Sequence, residues 1–144
     1  MTVESKIKLT AISNEDIKIF SYLCQDAIIS KNEMLFDKKE NMFLATLSRY
    51  CWEKLEDNKL KEKDVNYRVI SGLRITNVTD VKYINFSKIL EMEFLSLLSI
   101  SYKNKKITLH FSLSVEIVLI LDNIFAVLED IDIPWPTKLR PEHK

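Results

Sequence analysis

A single glycine, Gly72, serves all 144 residues. Glycine enters left-handed backbone freely and lets a main chain or a phosphate come close, so its scarcity constrains both fold and chemistry. Tight turns in this chain fall to Asn, Asp and Ser, whose short polar side chains tolerate those conformations. Phosphate-cradling loops, dinucleotide fingerprints and the G-x-S-x-G nucleophile elbow each need more than one glycine. None of them can be written around Gly72, and the sequence calls for no cofactor. The shortage of glycine accompanies 17 lysines against 4 arginines and abundant Ile and Asn, the mark of A+T-rich coding.

The 21 basic and 21 acidic side chains cancel, which removes the net positive field that nucleic acid or an anionic membrane would require. A chain of this length with 47% apolar residues is expected to fold as one domain, residues 1–144, without a metal or disulfide staple. Met1 to Thr10 carries Glu4, Lys6 and Lys8 and lacks the apolar core of a signal peptide. The most apolar windows, Phe94 to Ile100 and Val115 to Leu121, are too short to span a bilayer. Cys24 and Cys51 are far apart in sequence and read as reduced, buried thiols. These features together place the protein in the cytoplasm.

Lys6 to Ile12 alternates with the period of a half-buried strand. Ser13, followed by Asn14, Glu15 and Asp16, supplies a cap and first-turn acids for a helix whose stripe is Ile17, Phe20, Leu23, Cys24 and Ala27. Ile28 to Phe36 and Met42 to Trp52 form a hairpin across the polar residues 37–41, and the charged stretch Glu53 to Asn66 is surface. Tyr67 to Val78 reads as one strand, with Gly72 marking a bulge, a bend or a close backbone approach. Lys82 to Glu93 gives no clear pattern. Phe94 to Tyr102, Lys106 to Leu113 and Val115 to Leu121 form a meander, turning at Lys103-Asn104-Lys105 and near Ser112-Leu113-Ser114. Asp122 then caps a helix through Asp130, stopped by Pro134 and Pro136, and residues 133–144 form an extended tail. The expectation is an α+β domain: a strongly curved antiparallel sheet or partly open barrel with an N-terminal helix and a closing C-terminal helix. That element order is pleckstrin-homology-like.

Several segments resemble, in order, a family of small alphaproteobacterial proteins, the domain of unknown function numbered 2948. They are KLTAISNEDIKIFSYLCQDAII, FLATLSRYCWE, SGLRITNV, LSLLSISY and the terminal PWPTKLRPEH, whose Arg140-Pro141-Glu142-His143 ending is the most specific. The resemblance implies a bacterial cytoplasmic protein. It supplies no activity, cofactor or catalytic residue.

Cys24, Cys51, His110 and His143 are not spaced for chelation, so no metal is expected. His110 faces away from Ile107, Leu109 and Phe111, which suggests an exposed or cross-strand-paired imidazole. Glu116, at the start of an apolar strand, reads as a solvent-facing residue. Lys103, Lys105 and Lys106 make a solvated turn. The remaining candidate is a partner-binding set: Trp52, Arg74, Trp135, Arg140, Glu142 and His143, because tryptophan and arginine serve as interface anchors. The ordinary alternative is that Trp135 tucks the tail against the sheet while Arg140 and Glu142 pair on the surface. On these residues the chain reads as a non-enzymatic binding or adaptor module for an unknown protein partner or a second copy. The other reading is a small enzyme using His143 or His110 with Glu142 and Arg140 as acid/base groups near the C-terminal tail.

Overall fold

A computed structural model describes residues 6–53, 66–90, 93–132 and 135–137, the last three by backbone alone. The first strand, β1, is Lys8–Ala11. Ser13 then caps α1, Asn14–Leu23, its hydroxyl accepting the Asp16 N–H at 3.2 Å, as the sequence predicts. Ile17, Phe20 and Leu23 are its buried stripe. The apolar run from residue 28 divides in two. Ala27–Ser30 forms β2 and Met34–Asp37 forms β3, separated by a 3-10 turn over Lys31–Glu33. The Glu33 carboxylate causes the break by accepting the Ser30 N–H at 2.9 Å, a local bond that competes with strand continuation. The hairpin of β3 with β4, Met42–Tyr50, forms as expected.

Tyr67 to Val78 is two strands, not one. β5 is Asn66–Ile75 and β6 is Val78–Ile84, with Asn77 between them at φ 62°. The otherwise unassigned stretch from Lys82 thus contains the end of β6 and a 3-10 turn at Phe86–Lys88. β7, Phe94–Lys103, β8, Lys106–Phe111, and β9, Glu116–Leu121, make the predicted meander. The closing C-terminal helix is absent. Ala126–Asp130 is a strand, β10, laid between β1 and β5. Ala126, Val127 and Leu128 are all buried, and a strand covered on both faces shows a continuous apolar run that periodicity cannot separate from a helix. Without that helix, the pleckstrin-homology-like order is not supported. β11, Trp135–Thr137, pairs with the start of β5.

All eleven strands belong to one sheet, whose main path is β1-β10-β5-β4-β2-β7-β8-β9-β6. Every pairing is antiparallel. The fold class is therefore α+β, a large antiparallel sheet with one α-helix, α1, among the described residues. A flat sheet of nine strands would spread over about 38 Å, yet Ala11 of β1 and Leu121 of β9 share one core with Phe43, Leu73, Leu97 and Leu109. The sheet must therefore curl around that core. β1 and β6 end the path and do not pair with each other among the described residues, so the curl stays open. α1 fills its inside, with the Ser21 hydroxyl accepting the Ile100 N–H at 2.9 Å.

The glycine shortage is met as anticipated at Asn, Asp and Ser positions, whereas Lys105 and Leu113 take positive φ against that expectation. Asp26, Asn41, Asn77, Asn85, Asn104, Lys105, Leu113 and Ser114 all take positive φ. The one glycine has no positive φ, and the β4–β5 and β5–β10 ladders pass through it without a register shift. None of the three readings of Gly72 is observed: among the described residues no main chain lies against it, and the nearest atom to where a Cβ would stand is in the Ile131 side chain, with Cδ1 at an ordinary contact distance of 3.4 Å.

Candidate functional site

The strands β4, β5 and β10 carry polar groups on both faces, because neighbouring residues of a strand point to opposite sides. Inward, Arg49 follows Phe43, Ala45 and Leu47 at period two, and its side chain is wholly buried. Its guanidinium donates to both Glu53 oxygens at 2.8 and 3.0 Å and to both Asp130 oxygens at 3.0 and 3.1 Å. Its Nε donates to Ser71 Oγ at 3.2 Å, and that hydroxyl donates to Asp130 Oδ1 at 2.7 Å. Asp130 also accepts the Ile7 N–H at 3.0 Å. Burial opposes the charge on Arg49, but the Glu53 hydrogen bond and the fields of Glu53 and Asp130 outweigh it, so its pKa lies above the ordinary arginine value. This cluster joins β4, β5, β10 and the chain before β1, and it consumes its own hydrogen bonds. Its chemistry is structural. Cys24 is fully buried nearby, and burial pushes its thiol up to about 12 against the opposing field of Arg49. It is an inert thiol at neutral pH, as expected.

Outward, the same strands form an open groove of about 630 Å³. Thr46 of β4 stands opposite Gly72 of β5, which stands opposite Glu129 of β10. The adjoining row is Leu44, Arg74 and Val127. Leu35 and Glu33 line the β3 end, and Ile131 overhangs Gly72. The Glu33 carboxylate is occupied by the Ser30 N–H and hydroxyl, and Glu129 faces Lys8 across the β1 ladder. Arg74 lies between two apolar neighbours. No hydrogen bond or ion pair engages its exposed guanidinium among the described residues.

A third polar set crosses β7, β8 and β9. Ser101 Oγ lies 3.0 Å from His110 Nε2, and His110 Nδ1 lies 3.2 Å from Glu116 Oε2. The order is that of nucleophile, base and acid. However, His110 and Glu116 side chains are 34% and 39% exposed, whereas oxyanion stabilisation depends on fixed donors in a water-excluded site. Cross-strand pairing, the sequence expectation for His110, describes it.

Of the sequence-derived set, Arg74 is exposed in the groove. Trp52 is 9% exposed; its Nε1 donates to the Gln25 carbonyl at 2.8 Å and its ring packs edge-on against Tyr50 at 4.6 Å. It braces the core next to α1. Trp135 stands opposite Arg68 on β5, six residues from Arg74 and so about 20 Å away along the strand. Arg140, Glu142 and His143 lie outside the described residues. Arg49, Ser71 and Asp130 were missed by sequence reasoning, although a charged residue at the inward parity of β4 was a usable signal. Among the described residues no three His, Cys, Asp or Glu side chains gather to hold a metal, and no helix is long and apolar enough to cross a membrane.

Fold and site together define an α+β domain built on one curled antiparallel sheet, with a closed ionic cluster inside and an open groove outside. Residues 7–143 match the family described as "Protein of unknown function (DUF2948)", and the chain belongs to that family. No curated protein and no solved structure matches the chain.

Proposed function

We propose that the protein is a binding module of the bacterial cytoplasm that docks another protein in the outer groove of β4, β5 and β10. The observation that supports this reading is Arg74: a forked cation without a partner among the described residues, set among Leu35, Leu44 and Val127 in a concave surface. An arginine anchor surrounded by apolar contacts is the composition of an interface hot spot. The inner cluster has no comparable free group, since its donors and acceptors are spent on one another. Trp135, which stands opposite Arg68, and the tail residues Arg140, Glu142 and His143 are proposed as further contacts.

Affinity capture of the tagged full chain from its native cells tests the reading, with Arg74→Glu and Arg140→Ala compared against wild type. A specific partner lost on Arg74→Glu, with the melting temperature unchanged, supports the groove. A partner retained by Arg74→Glu but lost by Arg140→Ala moves the interface to the tail. Light scattering of the purified chain distinguishes a second copy from a different protein. Partner sets identical in all three proteins would overturn the reading.

A further inference from the structure

Gly72 is the least expected residue of this sequence. Eight described positions adopt left-handed backbone, where glycine is the favoured residue, and every one of them is filled by something else. The only glycine instead occupies ordinary strand backbone, where it weakens the strand and contributes no packing. Nor does crowding require it, because a Cβ there would meet Ile131 Cδ1 at 3.4 Å, an ordinary van der Waals distance. What glycine supplies is the missing side chain on the floor of the groove. In strands, such a gap marks a place where a ligand or another main chain approaches closely.

Building on the binding reading above, we propose that the groove receives an extended peptide segment of the partner. Its main chain crosses the sheet over Gly72, and an Asp or Glu side chain pairs with Arg74. The direction follows from the register. Thr46, Gly72 and Glu129 form a low row running across the strands, with Leu44, Arg74 and Val127 along one side and Ile131 lining the groove beside Gly72. From β3 to β10 the row spans about 14 Å, the length of roughly four extended residues. An open groove does not enclose a small molecule, whose sites bury most of the ligand, but it suits a segment whose side chains alternate between wall and solvent. The sign of the charge follows from the groove's own pairing. Glu33 is bonded to Ser30, Glu129 stands opposite Lys8 in the ladder, and no carboxylate among the described residues pairs with Arg74, whose guanidinium can take one in two parallel hydrogen bonds.

A phage-displayed random heptapeptide library selected on the immobilised full chain tests this. The expected enrichment is for sequences with one Asp or Glu flanked by apolar residues. A synthetic peptide of the leading sequence should bind Gly72→Val and Arg74→Glu at least tenfold more weakly than wild type. Exchanging its acid for Lys should restore binding to Arg74→Glu. Gly72→Ala, which adds a single methyl, should weaken binding severalfold and covers the case in which valine disturbs the fold, checked by circular dichroism. Peptides that bind Gly72→Val and Gly72→Ala as well as wild type would overturn the crossing at Gly72 while leaving a binding module intact. No enrichment over a bare surface would overturn the peptide proposal, and the capture experiment then decides the broader reading separately.

Discussion

Ser71 and Gly72 are neighbours in one strand, as are Glu129 and Asp130 in the strand beside it, and the two faces they serve are opposite in character. Inside, an arginine, two acids and a hydroxyl close on one another; outside, an arginine stands in an open groove with no partner among the described residues. The chemical ingredients are nearly the same. The difference is water, because a buried charge that lacks a partner costs several kcal/mol while an exposed one costs almost nothing. Satisfied hydrogen bonds inside therefore mark a structural site, and free ones outside mark groups available to something else.

The sharpest way to break this contrast is to remove each arginine in turn. Arg49→Met leaves Asp130 buried without its cation and should cost about 3–5 kcal/mol in urea unfolding. Arg74→Met, on the outer face of the neighbouring strand, should change stability by no more than about 0.5 kcal/mol. Equal losses would show that the two sites do not differ as described. A loss below about 1 kcal/mol for Arg49→Met would mean that water reaches the cluster past Glu53, whose side chain is 28% exposed.

Cys24 extends the test to alkaline pH. Its thiol stays protonated in the fold up to about 12, chiefly because it is buried, while an unfolded cysteine ionises near 8.5. Above that lower value the unfolded chain gives up a proton that the folded chain keeps, so this thiol makes stability fall as pH rises, by up to about 1.4 kcal/mol per pH unit. The contribution is fully present below pH ~8.5. Urea unfolding at pH 8 and pH 10 should show a smaller decline for Cys24→Ala than for wild type, and parallel declines would place the thiol in contact with solvent.

Much of the fold was readable: the first strand, the β3–β4 hairpin and the β7–β9 meander follow from strand-like runs and polar turns, and α1 from its Ser13 cap and the helical spacing of Ile17, Phe20 and Leu23. β10 was not, because Ala126, Val127 and Leu128 are covered on both faces and their spacing also suits a helix. That one misreading hid Asp130, and with it the partner that explains a charged residue at the inward position 49. The groove was half legible. Arg74 was named as a candidate anchor and Gly72 as an unusual strand residue, but their adjoining rows exist only once β4, β5 and β10 are in register. Trp52 lies buried against Tyr50, a position the sequence did not indicate because tryptophan serves cores and interfaces alike.

Two smaller effects sharpen the comparison further. Gly72→Ala should stabilise the chain by about 0.5–1 kcal/mol, the ordinary gain from alanine over glycine in a strand, since the added methyl meets only Ile131. Stability gained together with binding lost is the signature of a residue kept for the groove. The opposite result, a loss of stability, would show that Ile131 needs the space and that Gly72 serves packing.

The smallest effect belongs to His110. Its bonds to Ser101 and Glu116 lie on the outer face with water around them, so His110→Gln should cost only about 0.2–1 kcal/mol, in the range of a cross-strand pair. Salt separates it from the buried cluster. Screening at 1 M ionic strength acts over about 3 Å and should abolish most of the Glu116 contribution, while the loss from Arg49→Met should persist because no ions enter that site. Measuring both variants at low and high salt thus checks the exposed and the enclosed arrangement with one instrument. A salt-resistant His110 effect would place this pair with the inner cluster and not with the open surface.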